Sequence, residues 1–208
     1  IAAGNAGFEI IGYDTNEKLV SALNLGQSHI EGISNESLKA LSTYFATNKI
    51  EDLSECELVV IAVPTPLDVQ RKPDLSALES ACENVSKVLR RKALIINEST
   101  SFPGTLRDFI KPIFAKNSNL EHQFAVSPER VDPANSKWNE VDIPRLVSGL
   151  DTDSTAKAVE FYEKIFKKVI PVSTPEVAEA AKLLENTFRQ VNIALVNEFA
   201  QIAEKFGI

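Results

Sequence analysis

LVVIAVPTP, residues 58–66, gives the clearest indication of how this chain folds. Its first part, LVVIAV, is entirely apolar and mostly β-branched, which is typical of a strand buried on both faces of a parallel sheet. Pro64 and Pro66 then end the strand, because a proline cannot donate the backbone hydrogen bond that continued pairing requires. The stretch therefore predicts an internal strand that stops at a rigid turn.

Similar apolar runs recur along the chain and alternate with stretches of helical periodicity. A helix over 74–90 and a strand over 93–97 follow the central run, and a strand over 8–13 precedes it. This alternation predicts an α/β fold in which helices cover a parallel sheet. Further predicted helices are 16–25, 34–41, one that begins at Pro103, and 153–167, and further predicted strands are 123–127, 145–150 and 169–172.

A long final helix is predicted from about Pro175 onward, since apolar residues recur at every third or fourth position. This pattern first indicates a helix that packs on the core. Polar residues interrupt it, and two of them, Lys182 and Asn186, lie four residues apart and so share one face. A lysine beside an amide in a cleft can act as an acid or base, but a lysine that reaches solvent from the edge of a core helix is the simpler interpretation.

The composition is that of an ordinary globular protein. The 208 residues carry a formal net charge of -7, whereas a general nucleic-acid binder requires a basic face. No apolar run approaches the roughly 20 residues of a membrane span, and the N-terminus lacks a signal-like layout, so a cytoplasmic protein is expected. Cys56 and Cys82, with only two histidines in the chain, indicate neither a metal site nor a disulfide framework.

Polar residues follow several of the predicted strands, at the edge where parallel sheets bind their ligands. Asp14 follows the first strand, where an acid of a dinucleotide fold would bind the adenosine ribose and select NAD, although turn-forming aspartates are also common. Thr100 follows strand 93–97 and could hold a water or a cofactor, or simply cap the next helix. Glu129 precedes an arginine, so a surface ion pair is its default interpretation.

Six strings, taken in order, resemble the UDP-glucose/GDP-mannose dehydrogenase family almost from end to end, and most closely its UDP-N-acetylglucosamine 6-dehydrogenase branch. The two most specific are SPERVDPAN (127–135) and KLLENTFRQVNIALVNE (182–198). Pro-Glu-Arg in the former replaces the Pro-Glu-Phe typical of UDP-glucose enzymes and is similar to the N-acetylhexosamine branches. The other four strings are GFEIIGYD (7–14), GQSHIEGIS (26–34), VPTPLDVQRKPDLSALES (63–80) and ESTSFPGT (98–105).

The resemblance implies an NAD-dependent oxidation of the C6 alcohol of a UDP-N-acetylhexosamine, first of all UDP-N-acetylglucosamine. The alcohol becomes the uronic acid in two hydride transfers through a cysteine thioester, for bacterial or archaeal surface polysaccharide synthesis. The resemblance also implies a Rossmann-like, doubly wound and mainly parallel sheet over residues 1–172, followed by a long connecting helix over 173–208 that pairs two copies as a homodimer. It implies neither a nucleic-acid nor a membrane partner, and no metal.

The resemblance assigns roles to individual residues as well. Lys182 and Asn186 match the lysine and the amide that hold the oxyanion developing at C6. Thr100 matches the threonine that positions a water, and Glu129 matches the carboxylate that acts on this water as acid or base. The implied NAD contacts are Asp14, Val63, Pro64, Thr65 and Thr100, and the implied substrate contacts are Glu129, Arg130, Asp132, Lys182, Asn186 and Arg189.

Three departures from the family pattern accompany the match. The G-x-G-x-x-G turn and the first strand would lie before Ile1, and the nucleophilic cysteine would lie beyond Ile208, near the C-terminal substrate domain. Neither Cys56 nor Cys82 has the expected Gly-Gly-x-Cys context. The basic residue often found shortly after the ribose-binding acid is replaced by Leu19. The 208 residues alone are therefore expected to be an inactive fragment that binds the cofactor poorly.

Other functions remain open on the residues alone. Within the family, UDP-N-acetylmannosamine or UDP-glucose is an alternative substrate. The 3-hydroxyacid and 6-phosphogluconate dehydrogenases share Lys-x-x-x-Asn on a helix after the sheet and transfer a single hydride, but their strings do not resemble ESTSFPGT or SPERVDPAN. A non-catalytic dimerisation or binding module is the third alternative, because residues 191–196 are apolar nearly all round.

Overall fold

The computed structural model describes residues 1–30, 32–130 and 140–208, and of Glu140 only the backbone. Asp132, one of the predicted substrate contacts, lies outside these residues. The strands are β1 (Ile10–Tyr13), β2 (Tyr44–Thr47), β3 (Leu58–Ile61), β4 (Leu94–Asn97), β5 (Gln123–Val126), β6 (Arg145–Gly149) and β7 (Val169–Pro171). The α-helices are α1 (Ala2–Asn5), α2 (Glu17–Asn24), α3 (Asn35–Lys39), α4 (Ser76–Val88), α5 (Lys111–Asn117), α6 (Thr152–Glu163) and α7 (Pro175–Lys205).

The main sheet contains five strands in the order β3-β4-β5-β6-β7, and β1 and β2 form a separate parallel pair. Strands β3, β4 and β5 run parallel to one another. Strand β6 runs antiparallel to β5, and β7 runs parallel to β6. The α/β fold with a mainly parallel sheet is thus confirmed, but the expectation of a parallel sheet was wrong for β6 and β7, which both run opposite to β3, β4 and β5. Strand β3 lies at the edge of the main sheet with Val60 37% exposed, so the prediction of an internal strand was also wrong.

The described part of the connection that precedes β6 agrees with this reversal. A parallel neighbour requires a crossover connection, usually through an α-helix, whereas an antiparallel neighbour does not. Between β5 and β6, the described residues contain a single helical element, the short 3-10 turn Glu140–Asp142. Because β6 runs backwards, its first residue, Arg145, lies at the same edge of the sheet as the carboxyl ends of β4 and β5.

Helices cover both faces of the main sheet, as expected for a doubly wound fold. Successive side chains of a strand point to opposite faces, and β4 separates its side chains accordingly. Ile95 packs into a core with residues of α4 and α5, whereas Leu94 and Ile96 pack on the other face with residues of α6. The edge of the sheet where β3, β4 and β5 end therefore lies between two layers of helices.

Most element boundaries lie close to the predicted ones, with four differences. Strand β2 and the 3-10 turn Ile50–Leu53 were not predicted. The helix predicted from Pro103 forms as a π-helical stretch, Thr105–Ile110, that continues into α5. The helix predicted over 153–167 ends already at Glu163.

Helix α7 packs on the domain through its first turns alone, so the prediction of a core helix was wrong for most of its length. Pro175, Ala178 and Glu179 are its buried residues. At 31 residues, the helix is about 46 Å long, and its later turns extend past the described elements. The exposed apolar residues of these turns are Leu184, Phe188, Val191, Ile193, Leu195, Val196, Phe199, Ile202 and Phe206. None of the described helices has the length and apolar character needed to cross a membrane.

Candidate active site

Hydrogen bonds join the segments that follow β3 and β4 into one connected edge of the sheet. The backbone N–H of Val63 donates to the hydroxyl of Ser99 at 2.8 Å. Asn97, which is fully buried, accepts from the Ser99 N–H at 3.2 Å and donates to the Ser99 carbonyl at 3.3 Å. Thr100 is half-buried directly after this junction. Ser99 is thus used to join two strand ends and does not cap the following helix.

Four of the predicted cofactor contacts follow the ends of strands: Asp14 follows β1, and Val63, Pro64 and Thr65 follow β3. Asp14 is half-buried, and its Oδ1 accepts from the Asn16 N–H at 2.8 Å, so it does form the turn before α2. This turn uses one carboxylate oxygen, and the second oxygen is not needed for it. Pro64 is exposed beside Thr65, whose buried hydroxyl has no hydrogen-bond partner among the described residues. A buried hydroxyl without a partner costs free energy, so a ligand atom is expected beside Thr65.

A cluster of charged side chains lies where β4, β5 and β6 meet. The guanidinium of Arg145 is 1% exposed and donates to Glu98 Oε1 at 2.5 Å and to Glu129 Oε2 at 2.6 Å. The hydroxyl of Tyr162, on α6, donates to the same Glu98 oxygen at 2.5 Å. Burial raises the pKa of Glu98 above its ordinary value, with Arg145 acting in the opposite direction. Burial likewise raises the pKa of Tyr162 well above the ordinary range, so its hydroxyl keeps its proton and remains a donor.

The arginine that pairs with Glu129 is not its sequence neighbour. Arg130 contributes its backbone N–H to Glu129 Oε1 at 2.5 Å, and its guanidinium pairs with Glu185 of α7 and donates to the Pro144 carbonyl at 3.3 Å. The predicted surface ion pair between adjacent residues is therefore replaced by a pair with the buried Arg145. Arg130 links the end of β5 to α7 instead.

Lys182, Asn186 and Arg189 line one open groove of about 360 Å³ on α7, together with Gln190 and Ile193. Lys182 is half-buried, and this burial lowers the pKa of its amine below the ordinary value. The carboxylates of Glu185 and Glu129 act in the opposite direction, and the nearby guanidinium groups of Arg189 and Arg130 lower the pKa further. The amine is therefore within electrostatic range of Glu129 rather than alone in solvent.

A buried carboxylate fixes α7 against the segment that follows β4. Glu179 is 1% exposed, and it accepts hydrogen bonds from the backbone N–H groups of Gly104 and Leu106 at 2.7 and 2.9 Å. These N–H groups lie at the start of the π-helical stretch, where they have no partner within the helix. Burial raises the pKa of Glu179, and the two N–H donors act in the opposite direction. The helix predicted to be capped by Thr100 or its neighbours is thus capped by a residue 75 positions away.

The site contains three residues that the sequence interpretation missed, Arg145, Tyr162 and Glu179, and a fourth, Glu98, that it placed after the strand 93–97 without a role. The available signal was weak. Arg145 begins the apolar strand RLVSG, and Glu179 lies on the packed face of a helix. A charged residue at such a position requires a buried partner, but the sequence does not indicate which one. The predicted residues Thr100, Glu129, Arg130, Lys182 and Asn186 lie on elements that this cluster and Glu179 connect.

Comparison with known protein families gives two consecutive matches. Residues 1–170 match the NAD binding domain of the UDP-glucose/GDP-mannose dehydrogenase family, and residues 176–208 match the central domain of the same family. NAD, the predicted cofactor, is the dinucleotide for which the first of these domains is named. The second match begins at the start of α7.

Individual relatives agree with this assignment. The chain is 35% identical over 208 residues to the UDP-N-acetyl-D-glucosamine 6-dehydrogenase of Pseudomonas aeruginosa, with 96% of this chain and 48% of the relative covered. It is 34% identical to the UDP-N-acetyl-D-mannosamine dehydrogenase of Pyrococcus horikoshii, with 100% and 51% covered. The chain thus spans about half the length of the curated relatives it matches.

Solved structures resemble the fold over the whole chain. The structure of the UDP-D-ManNAc dehydrogenase of Pyrococcus horikoshii has a TM-score of 0.87 at 33% identity, and it covers 100% of this chain and 51% of that one. A UDP-glucose dehydrogenase from Pyrobaculum islandicum has a TM-score of 0.88 at 23% identity, with 100% and 50% covered, and supports the fold alone. The chain therefore belongs to the UDP-glucose/GDP-mannose dehydrogenase family.

Proposed function

We propose that the full-length protein containing this chain oxidises the C6 alcohol of a UDP-N-acetylhexosamine, in the first place UDP-N-acetylglucosamine, to the uronic acid with NAD. The observation that carries the proposal is the groove on α7 in which Lys182 and Asn186 lie together, within electrostatic range of Glu129. The first turns of the same helix are tied through Glu179 to the segment that follows β4, at the edge of the sheet where dinucleotide folds bind their cofactor. The uronic acid product would serve surface polysaccharide synthesis.

Lys182 and Asn186 are the proposed cradle for the oxygen at C6. They lie one helical turn apart on α7, so an ammonium and an amide N–H are offered to one oxygen atom. Negative charge grows on that oxygen as its hydroxyl proton leaves, and this charge drives the departure of the hydride from C6. Donors that are already in place when the charge develops lower the barrier, because no solvent has to reorganise.

Thr100 and Glu129 are the proposed groups for the water that completes the oxidation to an acid. The hydroxyl of Thr100 can hold such a water by a hydrogen bond, and the carboxylate of Glu129 can take its proton. Arg145 and the Arg130 N–H fix both oxygens of this carboxylate. A carboxylate held in one orientation is suited to accept a proton from a water at one fixed position.

NAD fits the ends of β1 and β3. The hydroxyl of Thr65 has no hydrogen-bond partner among the described residues and is available to a ligand atom, and Val63 and Pro64 form a wall held to β4 by the Ser99 hydroxyl. The second oxygen of Asp14 is able to accept from the adenosine ribose, and Thr100 lies beside this wall. NAD, when bound, accepts the hydride from C6.

Substrate contacts are proposed for Arg130, Arg189 and Asp132, in addition to the groups around C6. Arg189 lines the groove beside Lys182. The guanidinium of Arg130 is held to α7 by its ion pair with Glu185, and guanidinium groups bind phosphate well because their planar fork matches two oxygens. We therefore place the diphosphate of the UDP-sugar near these two arginines.

The cysteine that the second hydride transfer requires is not provided by Cys56 or Cys82. Cys82 is fully buried in α4, and this burial raises its pKa to about 12, which leaves almost no thiolate at neutral pH. Cys56 precedes β3 and so lies at the opposite edge of the sheet from Thr100. We therefore assign the thioester to a cysteine outside these 208 residues, and treat residues 1–172 as the cofactor domain and 173–208 as a connecting helix.

UDP-N-acetylmannosamine is the second candidate substrate, because relatives at similar identity carry that name. The chain is 34% identical to the mannosamine dehydrogenase of Pyrococcus horikoshii and 36% identical to that of Methanocaldococcus jannaschii. Both sugars carry the N-acetyl group at C2 and differ in its configuration there, so the chemistry at C6 is the same.

The test is turnover by the purified full-length protein with NAD and one UDP-sugar at a time. We expect the kcat/KM for UDP-N-acetylglucosamine to exceed that for UDP-N-acetylmannosamine and for UDP-glucose, and two NADH to form for each sugar consumed. A yield of one NADH would instead indicate a single-hydride dehydrogenase of the 3-hydroxyacid type. Absence of turnover with every UDP-sugar would leave the binding-module alternative.

A further inference from the structure

The proposed acid/base residue Glu129 is held from behind by an almost fully buried side chain. Arg145 is 1% exposed and donates from Nη1 to Glu129 Oε2 at 2.6 Å. The backbone N–H of Arg130 donates to the other oxygen, Oε1, at 2.5 Å. These two donors fix the orientation of the carboxylate, while the Glu129 side chain stays 41% exposed and so accessible to a ligand.

Arg145 is itself immobilised by contacts that do not involve Glu129. Its guanidinium lies over the rings of Tyr162 and Phe166, at 5.0 and 4.8 Å from their centroids. Its Nε donates to the Ser127 hydroxyl and its Nη2 to the Ser127 carbonyl, each at 3.2 Å. The two aromatic rings and the hydrogen bonds to Ser127 hold the guanidinium of Arg145 in a single orientation. Arg145 can therefore fix the orientation of the Glu129 carboxylate.

Glu98 balances the charge of Arg145 on the buried side. It accepts from Arg145 Nη2 and from the Tyr162 hydroxyl, both at 2.5 Å, and its side chain is 18% exposed. With both glutamates ionised, one positive and two negative charges give the cluster a net negative charge. Glu129 is the more exposed of the two glutamates and lies within electrostatic range of Lys182. Its carboxylate can still accept a proton or a hydrogen bond there.

Stability alone does not explain this arrangement. A buried ion pair is often no more stable than an apolar replacement of the same volume, because desolvation offsets the attraction. A planar guanidinium that bridges two carboxylates, here after different strands, does however fix the orientation of each carboxylate. A point charge such as an ammonium cannot do this. The geometry points to a positioning residue: we propose that Arg145, backed by Glu98 and Tyr162, aims the Glu129 carboxylate at the water or hydroxyl on which it acts. The identity of that reaction rests on the proposed function.

The first test compares Arg145→Lys with wild type in the full-length protein. Lysine keeps the charge but lacks the fork that reaches both carboxylates. We expect kcat with the UDP-sugar to fall about 10- to 100-fold, as for a misplaced catalytic group, while KM for NAD changes less than about twofold. Arg91→Lys is the matched control, because Arg91 also bridges two glutamates, Glu55 and Glu57, but at the opposite edge of the sheet and 48% exposed.

A double-mutant cycle with Glu129→Gln separates positioning from a general structural effect. If Arg145 acts through Glu129, Arg145→Lys costs less than about threefold in kcat once Glu129 is already replaced. An equal loss in both backgrounds would overturn the proposal. If Arg145→Lys does not accumulate as folded protein, Tyr162→Phe takes its place in the cycle, since it keeps the ring beneath the guanidinium and removes only the hydroxyl that holds Glu98.

A crystal structure of Arg145→Lys gives an answer that does not depend on turnover. We expect the Glu129 carboxylate to leave the orientation that Arg145 and the Arg130 N–H impose in the wild-type protein. A carboxylate that keeps this orientation overturns the positioning role even if activity falls. If the wild-type protein oxidises no UDP-sugar, the proposed function fails, and this structure alone still decides whether Arg145 positions Glu129.

Discussion

Glu179 of α7 accepts a hydrogen bond from the backbone N–H of Gly104 at 2.7 Å, across 75 residues of sequence. The helix that carries Lys182 is thereby tied to the segment that begins with Thr100. Lys182 lies three residues after Glu179, so it is less than one helical turn from this contact. The distance between the two halves of the candidate site is therefore set by a buried carboxylate and two backbone N–H groups.

Glu179→Ala is expected to destabilise the full-length protein markedly. The substitution leaves the Gly104 and Leu106 N–H groups buried without a partner, at about 1–3 kcal/mol for each. Thermal unfolding measures the effect as a lowered Tm. The control is Glu176→Ala on the same helix, which removes an ion pair to Arg107 with 48% and 32% exposed side chains, worth less than about 1 kcal/mol. Equal shifts in Tm for the two variants would contradict the capping role.

Lys182 is expected to lose its proton at a lower pH than an ordinary lysine. Burial lowers its pKa below 10.5, and Glu185 acts against this effect while Arg189 adds to it. Glu185→Gln should therefore lower the pKa further, and Arg189→Gln should raise it. The rate at which an amine-selective reagent acylates Lys182, followed by peptide mass analysis across pH, gives the midpoint. Shifts of the opposite sign would show that these two neighbours do not set the environment of the amine.

The lowered pKa of Lys182 also has a consequence for stability. Between the folded and the ordinary pKa, the unfolded chain binds more protons at this site than the folded chain, so stability rises with pH over that interval. At every pH below the ordinary pKa of lysine, neutral pH included, the burial of this amine costs free energy in the folded state relative to the unfolded chain. Lys182→Met is therefore expected to keep or slightly raise Tm at neutral pH. A large fall in Tm would indicate that Lys182 supports the fold.

Lys182→Ala and Asn186→Ala should each lower kcat of the full-length protein without a comparable effect on folding. Removal of one preorganised oxyanion donor costs about 100- to 1000-fold in kcat. Lys205→Ala is the matched control, because Lys205 lies on the exposed end of the same helix. Steady-state kinetics with NAD and UDP-N-acetylglucosamine provide the comparison. Full turnover by Lys182→Ala would leave only the binding-module interpretation of α7.

Much of the fold was predictable from local sequence, because strands such as 58–61 are short apolar runs that end before turn residues. The direction of β6 was not predictable in this way. A strand has the same apolar pattern in either direction, and the chain connection decides which one it takes. Arg145 was missed for that reason. In a uniformly parallel sheet, the first residue of β6 would lie at the opposite edge from Glu98 and Glu129.

The candidate site was likewise predictable only where local sequence decides the structure. Lys182 and Asn186 could be paired from sequence, because helical periodicity fixes which residues share a face. Their relation to Glu129, and the contact between Glu179 and Gly104, join residues that are far apart in sequence. Such contacts depend on tertiary packing, which the periodicity of a sequence does not reveal. The extent of burial of α7 was misjudged for a similar reason, since an apolar face on a helix does not identify what covers it.

Charge on Asp14 is expected to set the choice between NAD and NADP. Its Oδ1 accepts from the Asn16 N–H at 2.8 Å, and Asp14→Asn preserves this oxygen while it removes the charge that would repel a 2′-phosphate. The ratio of kcat/KM for NAD to that for NADP should therefore fall, by about tenfold if the charge contributes ~1.4 kcal/mol. Asp151→Asn is the control, because Asp151 caps α6 through the Ser154 N–H. An unchanged ratio for Asp14→Asn would remove Asp14 from the cofactor site.

The exposed apolar stripe of α7 leads to the last prediction, the assembly state. Phe188, Leu195 and Phe199 are 71%, 63% and 67% exposed and follow one another at helical spacing, which is unusual for a surface that stays in water. We propose that a second copy of the helix covers this stripe, as the resemblance to the family implies, and that the full-length protein is a homodimer. In a two-fold interface the same surface of both copies is buried, so Leu195→Glu would place a carboxylate in the apolar contact from each side. Sedimentation should show a dimer for wild type and a monomer for Leu195→Glu, with Glu204→Gln, at an exposed polar position of the same helix, still a dimer. If wild type sediments as a monomer, the remainder of the full-length protein, rather than a second copy, covers the stripe.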